Sequence, residues 1–175
     1  MKIAMKKIVI KWLPVLIIIT MLFGCGYKFA GSGLLPGGTK LLFVSILENK
    51  TSEIGIGSRF TNDLIYEVSR HRAAKITSRG KADAVLSGTI KSLGIATISR
   101  LNTQTSQERR VTVTVDLKLV DRTGRTIWRA MNVSANEEYD VSADKLTTER
   151  SRRLAINDLS ERMAETIYIR LTEDF

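Results

Sequence analysis

The stretch that decides the fold is RVTVTVDLKLV, residues 110–120. Val111, Val113, Val115, Leu117 and Leu119 fall on one side of an extended chain; Thr112, Thr114, Asp116 and Lys118 fall on the other. Strict period-two alternation predicts an antiparallel strand with one buried and one solvated face. Asp121-Arg122-Thr123-Gly124 follows as a tight hairpin turn, with glycine where a positive φ is wanted. Residues 125–137 then return as the partner strand. Upstream, residues 82–98 read as another long strand, with Gly88 and Gly94 expected at bulges or bends. The polar segment 99–110 between these strands becomes a projecting hairpin tip.

Moving outward, KLLFVSIL (residues 40–47) has the length and composition of a short buried strand. Thr51-Ser52-Glu53 offers a helix cap with an acid in the first turn. Ile56, Phe60, Leu64, Ile65 and Val68 then form one apolar stripe, ending near Arg70. A last helix begins near Thr148 and repeats Ala155, Leu159, Met163, Ile167 and Leu171 at four-residue steps. The order β-α-β-β-β-α, with one stripe per helix, predicts an α+β two-layer sandwich. Both helices are expected on one face of a mostly antiparallel four-stranded sheet.

The amino-terminal 24 residues have a different character. Lys2, Lys6, Lys7 and Lys11 precede an apolar run from Trp12 to Phe23, with no acidic residue among them. This is the layout of a secretory leader, and the run falls short of the ~20 residues a spanning helix needs. Leu22-Phe23-Gly24-Cys25 resembles the bacterial lipobox, whose cysteine is acylated and becomes the first mature residue. Three parts are therefore expected: a lipoprotein signal peptide (1–24), a glycine-rich lipidated tether (25–39) and one domain (40–175). Four of the positive charges behind the formal +9 belong to the leader, so the mature chain carries +5 and gives little reason to invoke nucleic acid. Cys25 is the only cysteine, which leaves no internal disulfide or thiolate metal site. No cofactor is expected beyond a covalent diacylglycerol and N-acyl chain on Cys25. By analogy with other bacterial lipoproteins, Gly26 after the cysteine, in place of aspartate, fits sorting onward to the outer membrane.

Catalytic chemistry finds few materials. His71 is the only histidine and reads as an exposed, inert residue between two arginines. Glu137 and Glu138 are adjacent in a strand and point to opposite faces, so they cannot act as a pair. Gly31-x-Gly33 and Gly55-x-Gly57 lack the strand-turn-helix setting of a dinucleotide loop. The chain therefore reads as non-enzymatic. Binding has two candidate places: the hairpin tip, rooted by Arg100, Arg109 and Arg110, and the lead into the last helix with Lys145, Arg150, Arg152 and Arg153. Read alone, each is also an ordinary solvated segment. Arginines grouped at one end would suit a phosphorylated lipid, because the guanidinium forks phosphate bidentately.

Cys25-Gly26-Tyr27-Lys28-Phe29, the strand that follows, Glu48-Asn49-Lys50-Thr51, the 55–69 segment, Ala82 through Gly88 and the 139–171 tail together resemble the lipopolysaccharide-assembly lipoprotein family (LptE-like). The resemblance implies a two-layer domain anchored in the outer membrane and seated as a plug in the large β-barrel LptD. It also implies lipopolysaccharide binding during insertion into the outer leaflet, with Arg100 and Lys145 first, then Arg109 and Arg110, as lipid-phosphate contacts. Other outer-membrane lipoproteins, such as cell-wall synthase activators or secretion-pore components, share the short strand, the helix and the Ala-Asp-x-x-x-x-Gly strand, so this part of the pattern leaves them open.

Overall fold

The computed structural model describes residues 34–100 and 107–173. The expected leader (1–24), Cys25, the expected tether as far as Gly33 and residues 101–106 of the expected hairpin tip lie outside the described residues. Besides two short 3-10 turns (Pro36–Gly38 and Arg79–Lys81), the described residues form, in order, β1 (Leu41–Val44), β2 (Glu48–Asn49), α1 (Ile56–Arg70), β3 (Lys75–Ile76), β4 (Ala84–Arg100), β5 (Gln107–Asp121), β6 (Thr126–Val141) and α2 (Lys145–Glu173). Along the sheet the order is β3-β1-β4-β5-β6, with β2 also paired to β4.

The expected four-stranded, mostly antiparallel sheet is corrected: the described residues form six strands with mixed pairing. The long strands β4, β5 and β6 are antiparallel, as hairpin connections require. β1 runs parallel to both β3 and β4, and β2 parallel to β4. A helix separates β1 and β2 from β3 and β4, and strands joined through such a crossover come back in the same direction. The apolar run at 40–47 is not one strand. After Val44 the chain leaves the ladder, Ser45 N–H still reaching Leu86 O at 2.9 Å, and Leu47 turns inward to 2% exposure. β2 resumes pairing afterwards.

The alternation of β5 is realised in full. Val111, Val113, Val115, Leu117 and Leu119 are 0–2% exposed, and the intervening residues face away from the helices. Burying such a side chain contributes roughly 1.5–3 kcal/mol, so this strand is a principal anchor of the core. In the same core lie Phe60, Leu64 and Val68 of α1 and Leu159, Met163, Ile167 and Leu171 of α2, all at 0–1% exposure. Both stripes are those expected, and both helices cover the same face.

The helix starts differ from expectation. Thr51 does not cap α1. Its N–H and hydroxyl turn back to Asn49 Oδ1 at 2.9 and 2.8 Å, and the helix begins after Gly55, whose φ of 81° admits little but glycine. α2 starts three residues early because Asp144 caps it, accepting N–H bonds from Leu146 (3.3 Å) and Thr147 (2.9 Å). Nor does Gly88 mark a bulge: the β4–β5 register runs unbroken through it and through Gly94, and shifts occur at Ile90/Ser92 and Thr97/Ser99. Gly88 serves close approach instead, since a Cβ there would stand 2.5 Å from Asp116 O. The turn at 121–124 is as expected, with Gly124 at φ 84° and Asp121 Oδ1 accepting the Thr123 and Arg125 N–H groups at 2.9 and 3.0 Å. The end of the segment read as tether joins the domain: Leu35, Pro36 and Thr39 are buried, and Gly37 lies against Ile127.

Candidate functional site

Three strand ends and one helix start meet at the far end of the sheet. Arg100 stands opposite Gln107, and Gln107 opposite Val141. Four residues beyond Val141, Lys145 opens α2. The backbone thus brings Arg100 and Lys145 to the same end of the domain. The Arg100 side chain lies outside the described residues. Lys145 is exposed and makes no ion pair among the described residues.

Arg109 and Arg110 belong to opposite faces, as neighbours in a strand must. Arg110 pairs across the strands with Glu138, donating to Oε1 from Nη2 at 2.5 Å and from Nε at 3.2 Å. An exposed pair of this kind contributes about 0.2–1 kcal/mol, but it does draw on the charge of Arg110. Arg109 stands in register between Thr97 and Tyr139 on the helix-covered face, half-buried. The four residues do not converge on one point: the structure groups Arg100 with Lys145, sets Arg109 on the helix side and ties Arg110 on the open side.

Electrostatics at the start of α2 divide the work. The Thr147 hydroxyl, then the backbone N–H groups of Thr147 and Leu146, hold the Asp144 carboxyl below the usual carboxylate range. Asp144 remains charged and occupies the helix end itself, so any external anion must be met by side chains. Further along α2, a cleft of about 340 Å³ against α1 is lined by Glu53, Arg59 and Arg153 together with Ile54, Ile56 and Ile156. Ile54 is 97% exposed and Leu146 is 78% exposed.

Other polar contacts are structural and were invisible in the sequence. Arg152, one of the cations in the lead into the last helix, reaches Glu53 at 2.7 Å and Glu149 at 3.0 Å. Its guanidinium is pushed above its ordinary range, first by the Glu53 hydrogen bond. It fastens the loop before α1 to α2 across 99 residues of chain. Glu67, 4% exposed, lies between Arg70 (3.1 Å) and His71 (3.2 Å). The His71 ring stacks on Tyr168 with centroids 4.3 Å apart. Burial, then Glu67, pushes the Tyr168 hydroxyl up. Ser160 donates to Asp63, closing the same helix pair. Glu137 faces the helices and pairs with Arg162, while Glu138 faces outward, in line with the alternation. Trp128 and Tyr139 are each 6% exposed and belong to the core. No described helix is long and apolar enough to cross a membrane.

Comparison with known proteins adds the family context. A family model described as LptE, lipopolysaccharide-assembly, matches residues 39–171. No curated sequence matches. Among solved structures, the chain is similar to uncharacterized lipoprotein B from Nitrosomonas europaea, with a TM-score of 0.55 and 16% identity, over 84% of this chain and 90% of that one. It is also similar to a neuraminyllactose-binding hemagglutinin homolog from Helicobacter pylori, with a TM-score of 0.50 and 11% identity, over 84% and 92%. At these identities the likeness is one of fold.

Proposed function

Because the chain belongs to the LptE family of lipopolysaccharide-assembly proteins, we propose that it is an outer-membrane lipoprotein working beside a large LptD-like β-barrel. Acylated on Cys25, it sits on the periplasmic side or within the barrel lumen as plug and assembly partner. There it binds lipopolysaccharide while the lipid is inserted into the outer leaflet. The family match over residues 39–171 carries this reading.

Two features of the chain support it. The basic leader, the apolar run and the cysteine at 25 form the address of a lipid-anchored envelope protein. Cationic and apolar groups also stand together in two places: Lys145 with exposed Leu146 at the start of α2, and Arg59 and Arg153 with Ile54 in the cleft between α1 and α2. A phosphorylated acylated lipid presents the complementary pair, phosphate to the cations and hydrocarbon to the aliphatic side chains.

Arg100 and Lys145 are the phosphate contacts in this reading. Each charge-assisted hydrogen bond contributes about 1.5–3 kcal/mol, and every 1.4 kcal/mol is tenfold in affinity. The double charge reversal Arg100→Glu with Lys145→Glu should weaken lipopolysaccharide binding by at least tenfold and leave the circular dichroism spectrum unchanged. Unaltered affinity in a folded variant removes this pair from the site.

A further inference from the structure

β4 is 17 residues long and is paired along its whole length on one side by β5. On the other side its cover is short. β1 pairs with Ala84, Val85 and Leu86, and β2 pairs with Thr89 and Ile90. From Lys91 to Arg100 no described strand lies alongside, so among the described residues roughly 30 Å of one strand edge presents open N–H and C=O groups.

Proteins ordinarily guard such edges with charge, proline or covering elements. No charged residue and no proline stands between Lys91 and Arg100. Lys91 does not guard it either: its Nζ is drawn across the open face of the sheet to Asp116 at 3.2 Å and Asn132 at 2.8 Å. Within the stretch, Ser92 to Thr97 keep continuous register with β5, bracketed by the two register shifts. Ile95 is 45% exposed and Ile98 38% exposed. The outer strand β6 is different. Arg129, Glu138 and Asp140 place charge along it, and Asn132, at φ 53° beside a register shift, breaks its regularity.

We propose that the Ser92–Ile98 edge of β4 is a docking site for an extended segment of the barrel partner, which adds one strand to the sheet. The inference rests on the function proposed above. Open backbone donors and acceptors call for an extended main chain, and a neutral edge accepts a segment without clustered charge. Strands of the barrel wall are already paired on both sides, so the segment comes from a loop or a terminus. On the helix side it meets Leu93, Ile95 and Thr97; on the open side it meets Ser92, Gly94 and Ala96. A second copy of this chain is the weaker occupant. Edge-to-edge pairing engages seven residues from each copy, against the ~20–30 per side of a stable interface. A partner with further contacts elsewhere has no such shortfall.

The test compares the full acylated protein alone with the complex co-purified from its own outer membranes. In the complex, alternate amides from Ser92 to Ile98, those directed away from β5, should exchange with deuterium at least a hundredfold more slowly than in the free protein. A photo-crosslinking residue at Ile95 should join the chain to the barrel polypeptide. Ile95→Lys together with Ala96→Lys should reduce barrel recovery at least tenfold without altering the circular dichroism. If the barrel co-purifies but the edge amides exchange equally in both samples, or the crosslink joins two copies of this chain, the inference is overturned while the functional reading stands. Absence of any barrel overturns both.

Discussion

Replacing Gly57 by alanine should destabilise the domain, even though alanine is the better helix former. Gly57 is the second residue of α1, buried against the link between β1 and β2. A Cβ there would lie 2.5 Å from Leu47 O, where an unstrained contact needs about 3.5 Å. One group must therefore move by about 1 Å, and Leu47 has little freedom to do so. Its N–H donates to Thr61 Oγ1 at 3.0 Å, the Thr61 hydroxyl donates to Gly57 O at 2.7 Å, and its side chain is 2% exposed. Overpacking costs about 1–3 kcal/mol, toward the upper end where backbone has to yield. Helix propensity returns at most about 1 kcal/mol. The net cost is about 2 kcal/mol, which lowers Tm by roughly 4–8 °C in a domain of this size. Thermal melts followed by circular dichroism read this directly, with Gly94→Ala as control because nothing lies within 4 Å of a Cβ there. The reasoning is refuted if Gly57→Ala melts within a degree of the unsubstituted protein.

Three further outcomes follow from the contacts described. Leu159→Ala removes a fully buried side chain from the helix–sheet interface and should cost about 2–5 kcal/mol in urea denaturation. A double-mutant cycle on Arg152 and Glu53, whose side chains are 19% and 24% exposed, should return a coupling near 1 kcal/mol, and additive singles would deny the bridge. Asp83 accepts the Leu41 and Lys40 N–H groups at 2.9 and 3.1 Å and pairs with Arg122 at 2.8 Å; the Leu41 bond is the main reason its carboxyl is held below the usual range. A depressed folded value stabilises the protein above the unfolded pKa of about 3.9, and that stability fades as pH falls through the folded value. Asp83→Asn should therefore lose stability at pH 7 and show a smaller further loss than the unsubstituted protein between pH 4 and pH 2.

What was legible in the sequence is what repeats. Five alternating apolar residues from Val111 to Leu119 announce one buried face, and four-residue steps from Ala155 to Leu171 announce one helix stripe. The parallel half of the sheet carries no such signal: β2 and β3 are two residues each, and their pairing follows from where the α1 crossover returns the chain. Helix starts at Gly55 and Asp144 depended on local competition, which led Thr51 into a turn with Asn49 and left capping of α2 to Asp144. Gly88 looked like a bend because a missing side chain looks the same whether it allows a bulge or a close approach. At the candidate site, the placement of Arg100 and Lys145 at one end of the domain was readable from connectivity. The separation of Arg109 from Arg110 was readable too, from the same period-two rule that fixed the β5 core. The Glu53–Arg152 bridge was not, since 99 residues separate its partners.

The most direct test of the account is recovery of the tagged, acylated protein from its own outer membranes in mild detergent. A large β-barrel should co-purify at one-to-one stoichiometry and stay bound in high salt. Recovery of a cell-wall synthase or a secretion-pore component, or of a homo-oligomer without a barrel, would contradict it.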